Sequence, residues 1–217
     1  MTLLAMAAAV IFGVGLIFFT VYRPWHSRWG ATDEEVALQL PGDEIIPTPT
    51  FNVTRAITIQ ARPEDIWPWI VQIGFHRAGF YSYDLLDNLG RPSADRIIPD
   101  LQNIQVGTWI PMSGRVTEET AFRVRAFAPN RWMLWEKAAS TWAWRLRPVD
   151  ERTTRLIIRL KSRYRWTRPT ILTDLVLMEI GDFPMMRKLM LGIRQRAESL
   201  ARTGSNKDRG NSGNRER

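Results

Sequence analysis

The pattern of apolar and polar positions first singles out a segment near the start of the chain. Residues 3–21 (LLAMAAAVIFGVGLIFFTV) contain no charged side chain and only one polar side chain, that of Thr20. A helix needs roughly 20 apolar residues, at about 1.5 Å each, to span the hydrocarbon core of a bilayer. The pattern therefore predicts a transmembrane anchor at residues 1–22 that holds the following domain beside a membrane.

A cleaved signal peptide is the alternative interpretation of this apolar run. It would require a basic segment before the run and a small-residue cleavage site after it. No Lys or Arg precedes residues 3–21 and no A-x-A pattern follows them, so an uncleaved anchor is favoured. Arg23 and Arg28 come just after the run. Because basic residues are enriched on the cytoplasmic side, we expect a single-pass protein of the cell membrane whose domain is cytoplasmic.

The next segment changes from irregular to periodic. Residues 23–49 are expected to form a connector, which is irregular over residues 31–49 because turn-forming residues interrupt it: Pro41, Gly42, Pro47 and Pro49. From Phe51 to Gln60 apolar and polar residues alternate, which predicts a half-buried strand. Pro63 suits the first position of a helix, which we expect to end at Gly74.

A meander of strands is predicted in the second half of the chain. The expected strands are residues 107–112, 115–128, 131–137, 140–148 and 153–166. Short connections between successive strands imply antiparallel neighbours. One face carries apolar side chains such as Ile158 and the other carries bases such as Arg159. We therefore expect Ile158 to point inward, and Arg159 to be solvated and replaceable by Asp at a cost under about 1 kcal/mol.

The last periodic segment supplies a cover for the apolar face. Between residues 169 and 202, apolar residues recur every three or four positions, as in an amphipathic helix. Gly181 and Pro184 favour a kink or two helices there. The predicted domain is therefore 50–202. Residues 203–217 contain no apolar residue, which predicts a disordered tail.

Composition limits the chemistry. The chain has no cysteine and only two histidines, which argues against a disulfide scaffold, a thiol nucleophile and a metal site; we expect no cofactor. The formal net charge is +8. With an anchor at the bilayer, the basic strand face suits anionic lipid headgroups better than nucleic acid, which we do not expect as a partner.

Several motifs resemble one family. The segment ARPEDIWPWIVQIGFHRAGFYSYDLLDNLG is similar to a bacterial group of mostly uncharacterised proteins in the START-like, or SRPBCC, superfamily. IQVGTWIPM, TTRLIIRLKSRYR and DFPMMRKLMLGIRQRAE resemble its later blocks. The resemblance implies an α+β helix-grip fold, in which a curved antiparallel sheet surrounds a long C-terminal helix. It also implies a cavity between sheet and helix that often holds an apolar ligand.

The side chains expected to line that cavity are apolar and rich in methionine, which suits a loosely specified ligand. They are Trp142, Trp144, Leu156, Ile158, Leu160, Met178, Met186 and Met190. The alternative is a packed core without a cavity, since aromatic and methionine stripes are usually core.

The loop after Gly74 is the second candidate site. His76 and Asp84 could form a general acid–base pair, and Arg77, Tyr81 and Tyr83 lie close to them in sequence. A structural role is favoured, in which Arg77 pairs with Asp84 and Tyr81 anchors the loop by packing. No spacing typical of a Ser-His-Asp triad or a phosphate loop is present.

The sequence thus predicts a membrane-anchored START-like domain that binds a hydrophobic small molecule or lipid. The alternatives are an enzyme of the polyketide cyclase or dehydrase type, which is less favoured, and a ligand-free scaffold with a filled core.

Overall fold

The apolar run near the start of the chain forms one long helical stretch in the computed structural model, which describes residues 3–167, 169 and 171–212. Helix α1 (Leu3–Ile17) continues through a π-helical turn (Phe18–Tyr22) into α2 (Arg23–Ser27). The stretch Leu3–Ser27 is long and apolar enough to cross a membrane, and its most apolar part packs against no other part of the described chain. A signal sequence would satisfy the same criterion of length and composition.

The remaining elements alternate between a sheet and its covering helices. In chain order they are α3 (Asp33–Ala37), β1 (Phe51–Ile59), α4 (Pro63–Val71), α5 (Asp84–Asp87), a 3₁₀ turn (Pro99–Leu101), β2 (Trp109–Pro111), β3 (Ala121–Ala128), β4 (Trp132–Lys137), β5 (Ser140–Pro148), β6 (Thr154–Ser162), α6 (Ile171–Val176), a π-helical turn (Leu177–Gly181) and α7 (Asp182–Ser212).

The six strands form one antiparallel sheet in the order β1-β6-β5-β4-β3-β2. Short turns join β3 to β4, β4 to β5 and β5 to β6, so each of these pairs is adjacent in the sheet, as hairpins require. The turns at Asn130 and Ala139 use positive φ angles of 60° and 62°. The first strand closes the other edge by pairing with the last, which brings residues 51–59 beside residues 154–162.

The inner face of the sheet packs against the helices. Ile158 is buried in a core cluster that includes Trp135, Trp144, Met190 and Ile193, so the predicted inward orientation of Ile158 is confirmed. The C-terminal helical run changes to a π-helical turn just before Gly181 and Pro184, where the sequence predicts a kink. The α+β helix-grip architecture implied by the resemblance is confirmed by this arrangement.

The prediction that the basic face is solvated is wrong at Arg159. Its residue surface is only 5% exposed, because the connector folds across the outer face of the sheet. The Arg159 guanidinium donates to Leu38 O at 2.7 Å, Val36 O at 2.7 Å and Asp43 Oδ2 at 2.6 Å. Alternation distinguishes the two faces of a strand but cannot show what covers the polar one.

Charged side chains of the sheet also hold the connector in place. Helix α3 begins with a capping box in which Thr32 Oγ1 accepts from Glu35 N and Glu35 Oε2 accepts from Thr32 N. Arg155 Nε donates to Glu35 Oε1 at 2.8 Å. Burial alone would raise the pKa of Glu35, but these hydrogen bonds and the nearby guanidinium groups hold it below its usual value. The prediction of an irregular segment at residues 31–49 therefore misses the short helix α3, which contacts with the sheet stabilise.

A second, smaller apolar cluster lies under the connector. It contains Leu40, Ala56, Leu134, Ala143 and Ile157. Both faces of β6 are consequently buried, although its sequence alternates.

Helix α7 runs to Ser212, so the structure describes helix in residues 203–212, where the sequence predicts disorder. Residues 213–217 lie outside the described residues, and the disordered tail stays a prediction.

Candidate functional site

A cavity of about 480 Å³ lies between the sheet and the C-terminal helical run. Strands β5 and β6, the loop before α5, and the start of α7 contribute to its wall. Its apolar lining includes Phe122, Trp142, Leu160, Met178, Met186 and Leu189. The lining is therefore made of the aromatic and methionine side chains that suit a hydrophobic ligand.

The predicted lining residues divide into two groups. Trp142, Leu160, Met178 and Met186 line the cavity. Trp144, Leu156, Ile158 and Met190 belong instead to the packed core beyond it.

The predicted residues divide into cavity wall and core because β5 and β6 extend beyond the cavity. Trp142 and Trp144 point to the same face, with ring centroids 4.9 Å apart, but only Trp142 lies at the cavity end of β5. Trp135 packs against both rings, and further along that face Trp144 lies between Met133 of β4 and Ile158 of β6, both of which are buried. Sequence alternation shows the face of each residue, and only packing shows where the face stops being filled.

One carboxylate in the cavity wall has no partner. Asp87, at the end of α5, lines the cavity and is only 8% exposed. Within the described residues, neither of its carboxylate oxygens has a hydrogen-bond partner. The neighbouring Ser82 hydroxyl donates to Met185 O at 3.0 Å instead. Burial raises the pKa of Asp87, and the negative charge of the nearby Asp84 adds to that shift.

A donor in the same cavity also lacks a partner. Trp142 is 5% exposed, and no acceptor among the described residues reaches its buried Nε1. Buried polar groups are usually hydrogen-bonded. Two residues of the cavity wall thus carry buried polar atoms without a partner, as do Trp69 and Trp144 in the packed core. Sequence reasoning missed Asp87, which resembles any acidic residue of a loop.

A buried ion pair closes one side of the cavity. Asp182 lines the cavity and accepts a hydrogen bond from Arg55 Nη1 at 2.6 Å. Arg55 is completely buried, and its Nε donates to His26 O at 2.8 Å. Burial raises the pKa of Asp182, while Arg55 opposes the shift. Arg55 occupies an inward position of β1 in a run of apolar inward residues, which the sequence analysis did not interpret.

A second polar contact joins the cavity wall to the N-terminal helix. Glu179 accepts from Arg23 Nε at 2.8 Å and Arg23 Nη2 at 3.1 Å, and Tyr164 Oη donates to it at 2.8 Å. Tyr164 also lines the cavity, and burial raises the pKa of its phenol. The end of the apolar helix is thus fixed to the wall of the cavity.

The loop candidates take structural positions. His76 is exposed, with Nδ1 2.6 Å from Arg91 Nη1, and Asp84 accepts from Ser93 Oγ at 2.5 Å. The described residues contain no hydrogen bond between His76 and Asp84, and neither lines the cavity. A general acid–base pair is therefore not assembled in this arrangement.

The neighbouring loop residues stabilise the backbone. Arg77 donates to Ile73 O at 3.1 Å and to Val71 O at 2.9 Å, rather than pairing with Asp84 as expected. Tyr81 packs in the core and its hydroxyl donates to Trp69 O at 3.0 Å, and Tyr83 lies under the ammonium of Lys188. A search of the described residues finds no group of three His, Asp or Glu side chains that could hold a metal ion.

The strand order of the sheet, the C-terminal helix packed against it and the cavity between sheet and helix define a helix-grip protein of α+β class. The topology of this chain confirms the helix-grip fold that the resemblance to the START-like superfamily implies. No family model matches the chain, and no curated protein matches it.

Solved structures give distant matches. A protein from Nitrosospira multiformis is 13% identical, covers 70% of this chain and 99% of its own, and has a TM-score of 0.42. A polyketide-cyclase-like protein from Corynebacterium glutamicum is 17% identical, covers 71% of this chain and 91% of its own, and has a TM-score of 0.33. An HSP90 activator from Plasmodium falciparum is 12% identical, covers 65% of this chain and 96% of its own, and has a TM-score of 0.39. The fold assignment rests on the topology of this chain, to which these likenesses add no argument about function.

Proposed function

We propose that the domain binds a hydrophobic small molecule or lipid in the cavity, at a cell membrane to which residues 3–21 anchor it. The observation that carries the proposal is a mainly apolar cavity that also contains two unpaired buried polar groups, on Asp87 and Trp142. Its volume of about 480 Å³ falls within the range of about 300–1,000 Å³ that is usual for small-molecule sites.

The polar groups narrow the class of ligand. Trp142 Nε1 is a donor only, and a ligand oxygen would satisfy it. Asp87 accepts hydrogen bonds when ionised and donates one when protonated. A ligand with an apolar body and a small polar group, such as a hydroxyl or carbonyl, would fill the cavity and pair these atoms. A filled, ligand-free core would not leave a volume of about 480 Å³.

One observation favours the cyclase- or dehydrase-like alternative. Burial raises the pKa of Asp87, and a protonated carboxyl group in an apolar cavity can act as a general acid. In an enzyme, Asp87 would donate a proton to the bound ligand, whereas a carrier would only bind that ligand.

Replacing Trp142 with Phe should weaken ligand retention about tenfold, because the change keeps most of the apolar ring but removes the donor Nε1–H. The full chain is purified in a mild detergent, and the co-purifying molecule is measured by native mass spectrometry and by extraction. Trp144→Phe makes the same chemical change two residues along, outside the cavity, and should retain the ligand. Equal retention by both variants, or the absence of any co-purifying molecule, would contradict the carrier proposal.

Asp87→Asn separates the carrier from the enzyme once that molecule is identified. A carrier variant should bind the ligand with altered affinity and show no turnover before or after the change. Loss of conversion with binding intact would support the enzyme, and His76→Ala serves as the control because His76 is exposed and outside the cavity.

The proposed topology makes a separate prediction. A reporter that is active only in the cytoplasm, fused after Arg217, should be active, because the first basic residues after the apolar run lie on the domain side. The same reporter placed before Met1 should be inactive. The reverse pattern would place the domain outside the cytoplasm.

A further inference from the structure

Helix α6 and the π-helical turn after it have two apolar faces. One face packs against the core through Ile171, Leu175 and Met178. The opposite face carries Leu172, Val176 and Ile180, which are 74%, 57% and 54% exposed. We call these three residues the apolar stripe. A helix on the surface of a water-soluble domain normally has a polar outer face, so this stripe needs a cover.

Two contacts fix the direction of this segment relative to the N-terminal helix. Arg23 pairs with Glu179, and the ring of His26, three residues after Arg23, lies beside that of Phe183, four residues after Glu179, with centroids 5.7 Å apart. The N-terminal helix and the C-terminal helical run therefore advance in the same direction where they meet. Residues that precede Glu179 lie on the side of residues that precede Arg23, which is the side of the apolar helix.

The distances place the stripe at the depth of a bilayer surface. Leu172 lies seven residues before Glu179, which corresponds to about 10 Å along a helix at about 1.5 Å per residue. Because this segment runs alongside the N-terminal helix, Leu172 would enter the bilayer to about the depth of 5–10 Å that the apolar faces of interfacial helices reach. Trp166, which precedes the segment and is also exposed, is a residue type enriched at that boundary.

We propose that residues 171–181 form a second membrane contact, in which the apolar stripe lies in the bilayer interface beside the N-terminal helix. The proposal rests on the anchoring part of the proposed function. Glu179, whose carboxylate binds both Arg23 and Tyr164, fixes this contact to the anchor on one side and to the cavity wall on the other.

The contact brings part of the cavity wall close to the lipid. Leu177 in this segment and Leu86 in α5 both line the cavity and are both exposed. Two exposed apolar side chains therefore belong to the cavity wall, and one of them lies in the membrane contact. A ligand dissolved in the bilayer would meet this part of the wall first, which favours a membrane-resident amphiphile.

The natural absence of cysteine makes the contact testable in the full chain. Leu172→Cys carries an environment-sensitive fluorophore, and the protein is reconstituted in vesicles of phosphatidylcholine with a minority of phosphatidylglycerol. Quenching by a spin-labelled lipid is compared with quenching by aqueous iodide. Leu16→Cys in the apolar helix and Val149→Cys in the exposed turn between β5 and β6 are the matched lipid and water references. Near-ultraviolet circular dichroism, compared with the unsubstituted chain, checks that each variant is folded.

The label at Leu172 should be quenched several-fold more by the lipid quencher than by iodide, as at Leu16, whereas Val149 should show the reverse. A label at Leu172 that behaves like Val149, while Leu16 stays lipid-exposed, would overturn the second contact and leave the anchor intact. Iodide quenching at Leu16 would overturn the anchor and the contact together. A label at Leu172 shielded from both quenchers would mean that protein covers the stripe, which also overturns the proposal.

Discussion

Replacing Arg159 with Asp is expected to lower the free energy of unfolding by about 3–5 kcal/mol, since it breaks a buried ion pair and places a carboxylate beside Asp43, which keeps only its pair with Lys161. The Arg159 guanidinium binds Asp43 and the main-chain oxygens of Glu35, Val36 and Leu38. An aspartate there would leave those oxygens without a donor and add a second carboxylate beside Asp43. The measurement is chemical denaturation of the full chain in detergent, followed by near-ultraviolet circular dichroism.

Arg152 supplies the matched control for this experiment. It lies exposed in the turn between β5 and β6, and Arg152→Asp makes the same change of charge. Surface substitutions of this kind usually change stability by within about 0.5 kcal/mol. If Arg159→Asp were as mild as Arg152→Asp, the connector would not cover the outer face of the sheet in solution.

Replacing Arg55 with Met should be comparably destabilising, by about 3–5 kcal/mol, because it leaves the Asp182 carboxylate in an apolar site without its counter-charge. The same change removes the hydrogen bond from Arg55 to His26 O, which ties the end of the N-terminal helix to β1. Loss of stability is measured by denaturation as above.

A double variant isolates the ion pair from other effects of the substitution. Adding Asp182→Asn to Arg55→Met removes the uncompensated charge and should recover part of the lost stability. The recovery is expected because buried pairs cost more when broken than when both charges are removed. Equal stability of the single and double variants would mean that the Arg55–Asp182 contact carries little coupling energy.

Strand β6 shows what a periodic sequence pattern can and cannot predict. Alternation correctly places Ile158 on the inner face, and it correctly separates Arg159 from the core cluster. It does not show that Arg159 is solvated, because solvation depends on whether another segment covers that face. Here the covering segment is residues 30–46, more than a hundred positions away in sequence, whose acidic side chains match the bases of the strands.

The cavity wall shows the same limit of sequence alternation on the inner face of the sheet. Trp142 and Trp144 are equivalent in the sequence pattern, since both are inward aromatic residues of one strand. Only the tertiary packing, which places Trp144 between the buried Met133 and Ile158 and leaves Trp142 beside the cavity, makes one of them cavity wall and the other core. Asp87 carries no periodic signal at all, because its position in the wall depends on how a loop folds against α7.

The sequence by itself determined the features that repeat locally. The apolar run at residues 3–21, the alternating strands and the amphipathic C-terminal helix follow from hydrophobic period, and the family-like motifs extend them to the helix-grip fold. Tertiary structure alone decided which face is covered, where the cavity ends, and which polar groups within it are unpaired. It also decided the alignment of Glu179 with Arg23. Each of these depends on contacts between residues far apart in the chain, whose relative position no local pattern encodes.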